Sequence, residues 1–503
     1  MPTWWKVLDA PTKCIFLSIS IPLFGSLIIW VSALFSRIAR KTVTFLVLLA
    51  PLFLVGKLLP MALRGEGSYN PRVIPFPYED DLSSMLSSNI SNLFSFHLAS
   101  DTVSIVLAVT FTVVALLTAL YSFSFLAGKK NLTEFYALMA LALGSVLGVV
   151  FSANLLWIYV FWEIATICTW RLVGFWRGED QVRAANKAFT ITFTGASFML
   201  FGFLLLYATY GTLNLIDLTE AIEIVAAKGI NTGIVNNLAL FLVFLGIISK
   251  SATVPLHTWV PSAYRSAPAP AAALLAGVVE KIGIYVFLRL FVLTIGITPV
   301  WAMVVPVIAM LSAFIAASAA LASADLKTLL AYSTISQLGY VFLGLSISLE
   351  LGVAGAVIYI VAHSLAKSGL FLAAGVIEHQ TGETEIDKLG GLIKNFPVTG
   401  MSFLLCGLSL AGLPPLIGFY GKLYIIMGAI GAGLYWIAGI AIVIAVMTLM
   451  YVIKAFTGTF LGDTTHYSRA YEGSPIMVSV VCLLALLSVL SSGLVFAPSL
   501  ITL

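Results

Sequence analysis

Long apolar stretches separated by short polar connections run through most of the chain. Ile440 to Val452 and Val478 to Val489 contain no charged residue, so helices formed there are apolar on every side rather than along one stripe. Such helices belong in a hydrophobic core or a membrane. A crossing needs about 20 apolar residues, and the pattern predicts roughly fourteen of them. They fall at 12–35, 42–62, 102–127, 132–152, 154–176, 186–210, 235–259, 269–294, 299–319, 328–348, 351–378, 397–430, 433–460 and 474–497. The expected fold class is an all-α polytopic membrane protein.

Two connections are long. The stretch 63–101 carries Glu79, Asp80, Asp81 and Asp101, and 211–234 carries Asp217, Glu220 and Glu223. Basic residues concentrate on alternate connections. Arg37, Arg40, Lys41, Lys129, Lys130, Arg177, Arg183, Lys187, Arg265, Lys327, Lys388, Lys394 and Arg469 fall on one side. Lys6, Lys13, Arg64, Arg72 and Lys228 fall on the other. Because short cytoplasmic loops are enriched in Lys and Arg, both termini are expected outside a cell membrane, which requires an even number of spans.

Two spans carry helix breakers. The seventh contains Lys250-Ser-Ala-Thr-Val-Pro255 and the twelfth Gly412-Leu-Pro-Pro-Leu-Ile-Gly418 ahead of Lys422. Proline removes a helix hydrogen bond and clashes with the preceding turn. The freed backbone groups are tolerable at membrane depth only inside protein or beside a wet cavity. Interrupted helices in corresponding places point to inverted repeats, here spans 4–8 and 9–13, with the site at the midplane.

Composition narrows the class further. The 503 residues are 60% hydrophobic and 10% charged, with a mean hydropathy of +1.06. A soluble domain carries about a quarter of its residues charged. The net charge of +4 is too small to point to nucleic acid. Cys14, Cys168, Cys406 and Cys482 lie in or beside apolar runs without a CxxC pair, so they read as small buried hydrophobes and not as metal ligands. The first apolar segment lacks a small-residue cleavage site, so no cleavable signal peptide is expected. No glycine-rich phosphate loop and no haem-binding histidine pair is apparent. No cofactor is expected, and no catalysis by this chain alone.

The candidate chemistry lies in the charges that interrupt the apolar runs. An ionisable residue inside a span costs roughly 2.5–3.5 kcal/mol on insertion scales and marks function by default. Glu163 lies in span 5, Lys250 beside the span-7 break, Glu280 and Lys281 in span 8, His363 and Lys367 in span 11, and Lys422 in span 12. Lys57 and Lys454 suit snorkelling to an interface. Lysine, unlike arginine, can exist neutral in a low-dielectric site and so can take up and release a proton. A carboxylate at Glu163 facing Lys250 would alter the lysine's proton affinity as the pair forms and breaks. His363 and Lys367 are four apart and share a helix face. Two bases there repel when both are charged, so at least one should be neutral much of the time, as a relay requires, and Ser364 and Ser368 could orient water beside them. Glu280 and Lys281 point about 100° apart and address different neighbours. Lys281 is the stronger relay candidate of the two. His257, in Pro-Leu-His-Thr-Trp, follows the break and suits a structural cap as well as a relay. His97, His379 and His466 lie in or near loops and receive no role.

These motifs resemble a known family. Phe161-Trp-Glu163, Lys250-Ser-Ala-Thr-Val-Pro-Leu-His-Thr-Trp259, Lys281-Ile-Gly-Ile-Tyr285, Asp325-Leu-Lys-Thr-Leu-Leu-Ala-Tyr-Ser-Thr334 and His363-Ser-Leu-Ala-Lys367 look like the antiporter-like subunits shared by respiratory complex I, Mrp-type Na+/H+ antiporters and membrane-bound hydrogenases. The likeness covers roughly residues 95–460. It implies fourteen helices, inverted repeats of five, and broken helices 7 and 12. It divides the chain into N-terminal helices and an extracytoplasmic loop (1–101), a third helix (102–131), a first repeat (132–294), a second repeat (295–460) and a C-terminal helix (461–503). It carries proton transfer to Glu163, Lys250, Lys281, His363, Lys367 and Lys422. Glu280 departs from the family pattern, and Arg171 is unusual for its position and expected at the cytoplasmic interface.

The resemblance also implies partners: other membrane subunits, further antiporter-like ones among them, a peripheral redox module, the lipid bilayer, and H+ with or without Na+. The expected function is proton or Na+/H+ translocation in a multisubunit redox-driven complex, such as a membrane-bound hydrogenase or complex I-like oxidoreductase. The alternative is a Mrp-type antiporter subunit without a redox partner. A carrier of organic solutes would need a polar cavity rather than a line of lysines. A purely structural scaffold would gain nothing from so many buried charges.

Overall fold

In the computed structural model, residues 9–64, 72–74, 95–228, 232–347, 349–463, 467 and 470–496 are described. Glu79, Asp80 and Asp81 of the first long connection, together with His466, lie outside them.

The apolar runs form helices wherever the sequence places them, beginning with α1 (Ala10–Ser32), α2 (Arg37–Gly56) and the short α3 (Leu59–Leu63). Strands β1 (Arg72–Ile74) and β2 (Phe96–Leu98) follow, paired antiparallel with Val73 opposite His97. This small hairpin was not expected in an all-α chain; Phe96 and Leu98 are the buried residues of an alternating triplet. Then come α4 (Thr102–Phe125), α5 (Leu132–Phe151), α6 (Leu155–Val173) and α7 (Glu179–Tyr210). The acidic connection 211–234 contains its own helix, α8 (Leu215–Ala227), which buries Leu215 and Leu218.

The seventh span begins as α9 (Gly233–Lys250), breaks over 251–258 and resumes as α10 (Trp259–Ser266). It therefore extends past the expected end at 259, because Trp259, Val260, Ala263 and Tyr264 bury a face that a short, partly polar segment does not advertise. The indole N–H of Trp259 donates to the Ser249 carbonyl at 2.9 Å and ties the two halves together. The eighth span, α11 (Ala269–Thr294), departs from α geometry at two π-helical stretches, Leu275–Val279 and Leu288–Thr294.

The remaining helices are α12 (Pro299–Ala322), α13 (Leu326–Ser346), α14 (Glu350–Thr381), the broken pair α15 (Pro397–Ala411) and α16 (Ile417–Gly431), α17 (Tyr435–Phe460) and α18 (Pro475–Leu490). Among the described residues, 13 helical segments are long and apolar enough to cross a membrane, and α15 and α16 are shorter apolar helices. Gly412 closes α15 with φ of +83°, a conformation that a side chain disfavours. Gly418 opens α16 so near α15 that a Cβ there would collide with the Ser409 carbonyl oxygen.

Burial separates a centre from a rim. The apolar windows of α11 and α14 are entirely buried, whereas those of α2, α17 and the segment Pro475–Phe496 are one-third buried. Helix α14 packs against α13, α15, α16, α18 and α4. Outward-facing Phe24, Leu34, Phe201, Met303 and Trp436 are exposed, as expected of helices whose solvent is lipid. The buried charges therefore converge on the two central helices.

Candidate functional site

Lys250 is the last residue of α9 and is almost wholly buried. Its Nζ donates to Thr166 Oγ1 on α6 at 3.0 Å. Glu163, three residues before Thr166 on that helix, is the acid acting most strongly on Lys250, followed by Glu280. One Glu163 oxygen is buried without a hydrogen-bond partner, and Tyr159 faces the carboxyl from the preceding turn. The expected pairing of Glu163 with Lys250 is thus electrostatic, and Thr166 takes the hydrogen bond.

The π turn of α11 sets the next two groups. Glu280 N–H bonds to the Leu275 carbonyl at 3.1 Å, five residues back, and the Lys281 ammonium turns back to the Ala276 carbonyl. π turns inside α-helices recur at functional sites because they redirect side chains. Both carboxyl oxygens of Glu280 are buried, and the Tyr264 hydroxyl, buried too, faces them from α10 as a hydrogen-bonding neighbour. Lys281, Lys367 and Lys250 all act on this carboxyl. Glu280, the residue whose role the sequence left open, is brought among the lysines.

On α14, Lys367 Nζ donates to the Leu330 carbonyl at 2.8 Å and to Ser333 Oγ, both on α13. His363 is fully buried, neither ring nitrogen has a hydrogen-bond partner, and its ring lies 6.4 Å from that of Tyr359. Of the serines flanking this pair, Ser364 has no partner and Ser368 bonds to the Ala273 carbonyl of α11 at 3.1 Å. Lys422 on α16 donates to the Ala411 carbonyl at 3.4 Å, at the open end of α15. The last carbonyls of a helix have no amide partners and carry partial negative charge, which suits an ammonium. The Tyr340 and Tyr359 rings lie 4.5 and 5.6 Å from the same Nζ.

Other candidates have structural work. His257 lies half-buried in the first break, with Lys187 the charged group acting on it. Lys454 donates to the Leu321 and Ser323 carbonyls at 2.7 and 2.9 Å, capping α12 rather than snorkelling. Lys57 lies 4.2 Å over the Phe53 ring. Arg171 pairs with Glu134, which also holds Arg177 at 2.8 Å.

Sequence reasoning missed the neutral polar residues among these charges: Thr166, Tyr264, Ser333, Gln337, Tyr340, Tyr359 and Tyr451. Spacing could have exposed some of them, since Ser333 and Gln337 are four apart on α13 and Tyr359 lies four before His363 on α14. It also missed the buried pair of Arg289 with Asp101, whose Nη2 to Oδ1 contact is 2.8 Å, because the two are 188 residues apart.

Comparison with known proteins places this architecture. A family model described as the transmembrane region of NADH:quinone oxidoreductase and the Mrp antiporter matches residues 152–448. A Na(+)/H(+) antiporter subunit of Alkalihalophilus pseudofirmus is 30% identical over 417 residues, covering 82% of this chain and 83% of that protein. The chloroplastic NAD(P)H-quinone oxidoreductase subunit 5 of Adiantum capillus-veneris is 34% identical over 379 residues, covering 72% of this chain but only 50% of that longer one. Among solved structures, a chain of respiratory complex I from Thermus thermophilus superposes with a TM-score of 0.82 at 25% identity, covering 97% of both chains. A chain of the archaeal membrane-bound sulfane sulfur reductase gives 0.82 at 25% identity, covering 96% of this chain and 76% of that one.

Proposed function

The chain belongs to the membrane family shared by NADH:quinone oxidoreductases and Mrp antiporters, and from that premise we propose that it translocates protons, through a row of buried lysines, as the antiporter-like subunit of a multisubunit redox-driven complex. One observation carries the reading. Lys250, Lys281, Lys367 and Lys422 are all buried, and each donates to neutral oxygen: Thr166 Oγ1, the Ala276 carbonyl, the Leu330 carbonyl with Ser333 Oγ, and the Ala411 carbonyl. Among the described residues none of the four forms an ion pair with a carboxylate. A buried amine locked to a carboxylate keeps its proton, whereas one held by neutral acceptors can give it up.

The roles follow from position. Glu163 stabilises a proton on Lys250, and release of that pairing favours passing it on. Lys281 and Lys367 receive it across the α11–α14 contact, with Glu280 as the countercharge between them and Lys250. Lys422, at the open end of α15, is the exit. His363 faces Lys281, Lys367 and Lys422 together, so a proton there and a proton on any of them repel one another. His257 stands at the mouth of the first break. Amines bind protons, their ammonium forms repel metal cations, and amine nitrogen is a poor ligand for a hard alkali ion, which favours H+ over Na+ along the row itself. The basic connections are assigned to the cytoplasm and both termini to the outside.

A second reading, a Mrp-type subunit that an ion gradient alone drives, is favoured by the coverage of 83% of an Na(+)/H(+) antiporter subunit. Copurification of the native assembly decides between the two: redox proteins in it support the first, and only small membrane proteins the second. The row is tested with Lys422→Ala in sealed vesicles carrying the native assembly. Proton flux under an imposed membrane potential is expected to fall by at least about tenfold, the equivalent of one unit of mismatch in proton affinity. Unchanged flux would remove Lys422 from the exit.

A further inference from the structure

At the end assigned to the cytoplasm, the first turns of α7 and the short α10 enclose a cavity of about 610 Å³. That volume lies within the range of ligand sites, roughly 300–1,000 Å³. Among the described residues, the charged ones lining it are Arg183, Lys187, Arg265 and Asp180, so positive charge prevails. Ser262 and Ser266, one turn apart on α10, lie in the same wall. Acidic neighbours hold these bases weakly. Arg183 pairs with Glu179 and lies 3.9 Å from Asp180, but the two acids are 80% and 88% exposed, and ion pairs in water contribute little. Arg265 lies 3.9 Å from Asp325, beyond hydrogen-bond reach.

The position of the cavity says what fills it. Helix α7 has 32 residues where about 20 cross the hydrocarbon, so its first turns stand in the headgroup region. Arg183 precedes Phe201 by about five whole turns and Lys187 precedes Phe198 by about three, so each base shares a side of the helix with a phenylalanine. Both phenylalanines are exposed on the rim of the protein. The lipid-facing stripe of α7 therefore leads directly to the two bases. Two indoles mark the same level independently of the charges. Trp170 donates to Asn186 Oδ1 at 2.9 Å, next to Lys187, and Trp176 is exposed. Tryptophan gathers where hydrocarbon meets water.

We propose that this cavity binds the phosphate of an anionic phospholipid, with Arg183, Lys187 and Arg265 around the headgroup and the acyl chains along the Phe198 and Phe201 stripe. Guanidinium matches phosphate geometry with paired N–H donors. Basic pockets between membrane helices on the cytoplasmic side take anionic headgroups. A free phosphate ion or an acidic segment of a neighbouring subunit would meet the same charges, but neither continues into an apolar stripe. The inference needs the chain in a membrane and does not rest on the lysine row.

The test uses the native assembly, stripped of lipid in neutral detergent and titrated with phosphatidylglycerol, with bound lipid counted by native mass spectrometry. The double variant Arg183→Gln with Lys187→Gln alters two exposed side chains and leaves the packing of α7 in place. It is expected to weaken retention of phosphatidylglycerol about thirtyfold, the effect of removing two bases beside an anionic surface. Where the double variant fails to assemble, Lys187→Gln by itself is read for a loss of about fivefold. Phosphatidylcholine is expected to bind wild type and variant equally. Lys129→Gln with Lys130→Gln, two bases of the same side outside the cavity, is expected to leave retention unchanged. Wild-type retention in the double variant, or an equal loss in the Lys129 and Lys130 variant, would overturn the proposal. So would full displacement of the lipid by an equal concentration of inorganic phosphate, which marks an ion site. Crosslinking of Lys187 to an acidic segment of another subunit, in an assembly that retains no phosphatidylglycerol, would overturn it in favour of a protein contact.

Discussion

Lys250 donates to Thr166 and not to Glu163, and this division of labour matters at the scale of single residues. An ammonium with no hydrogen-bond partner would be costly at this depth, and one bound to a carboxylate would be fixed. A hydroxyl satisfies the amine in either protonation state, because it accepts from the ammonium and donates to the neutral base. Thr166→Val keeps the shape and removes the acceptor. It is expected to cost about 1–3 kcal/mol of stability, the range for leaving a buried polar group unsatisfied, and to narrow the pH range of transport; thermal melting and flux profiles of the purified assembly measure both. The charged members of the site were legible in the sequence because a charge inside an apolar run costs too much to be incidental. Their partners were not, since Thr166, Ser333 and Gln337 are unremarkable inside a helix until another helix brings a lysine to them. Glu280 was seen but not placed: adjacency to Lys281 said where the two do not point, and only the π turn shows where they do.

At the scale of elements, the two breaks create open helix ends inside the protein. Lys250 terminates α9 and Lys422 donates to the last carbonyl of α15, so each break sets a lysine at a helix end. Proline and glycine made both breaks readable, because they are among the few residues whose backbone preferences survive any context. The second half of the first break was underestimated: α10 spans only eight residues and mixes Ser262 and Arg265 with its apolar face, so periodicity has little to act on. The π stretches of α11 escaped for a different reason: a helix buried on every side has no apolar stripe whose period would report its hydrogen-bond register. Gly418→Ala tests the second break as an element. Its Cβ would collide with backbone, the Ser409 carbonyl, which has no flexible side chain to yield. The variant is expected to lose at least about 3 kcal/mol, the upper range for overpacking, and to displace Lys422 from Ala411; a melting temperature equal to wild type would show that α15 and α16 part more easily than their packing implies.

For the whole molecule, the arrangement is a rim of lipid-facing helices around α11 and α14, which hold Glu280, Lys281, His363 and Lys367 between the two breaks. The overall class was legible because so many greasy stretches leave no soluble alternative, and the separation of rim from centre was not, since the lipid-facing α2 reads as more apolar than the buried α14. The central claim is that Lys250 loads the proton that the rest of the row carries. Its most direct test is proton flux through vesicles bearing the native assembly with Lys250→Ala, under an imposed membrane potential and with assembly confirmed by copurification. The account predicts an intact assembly in which flux falls to background. Flux at the wild-type rate would contradict it.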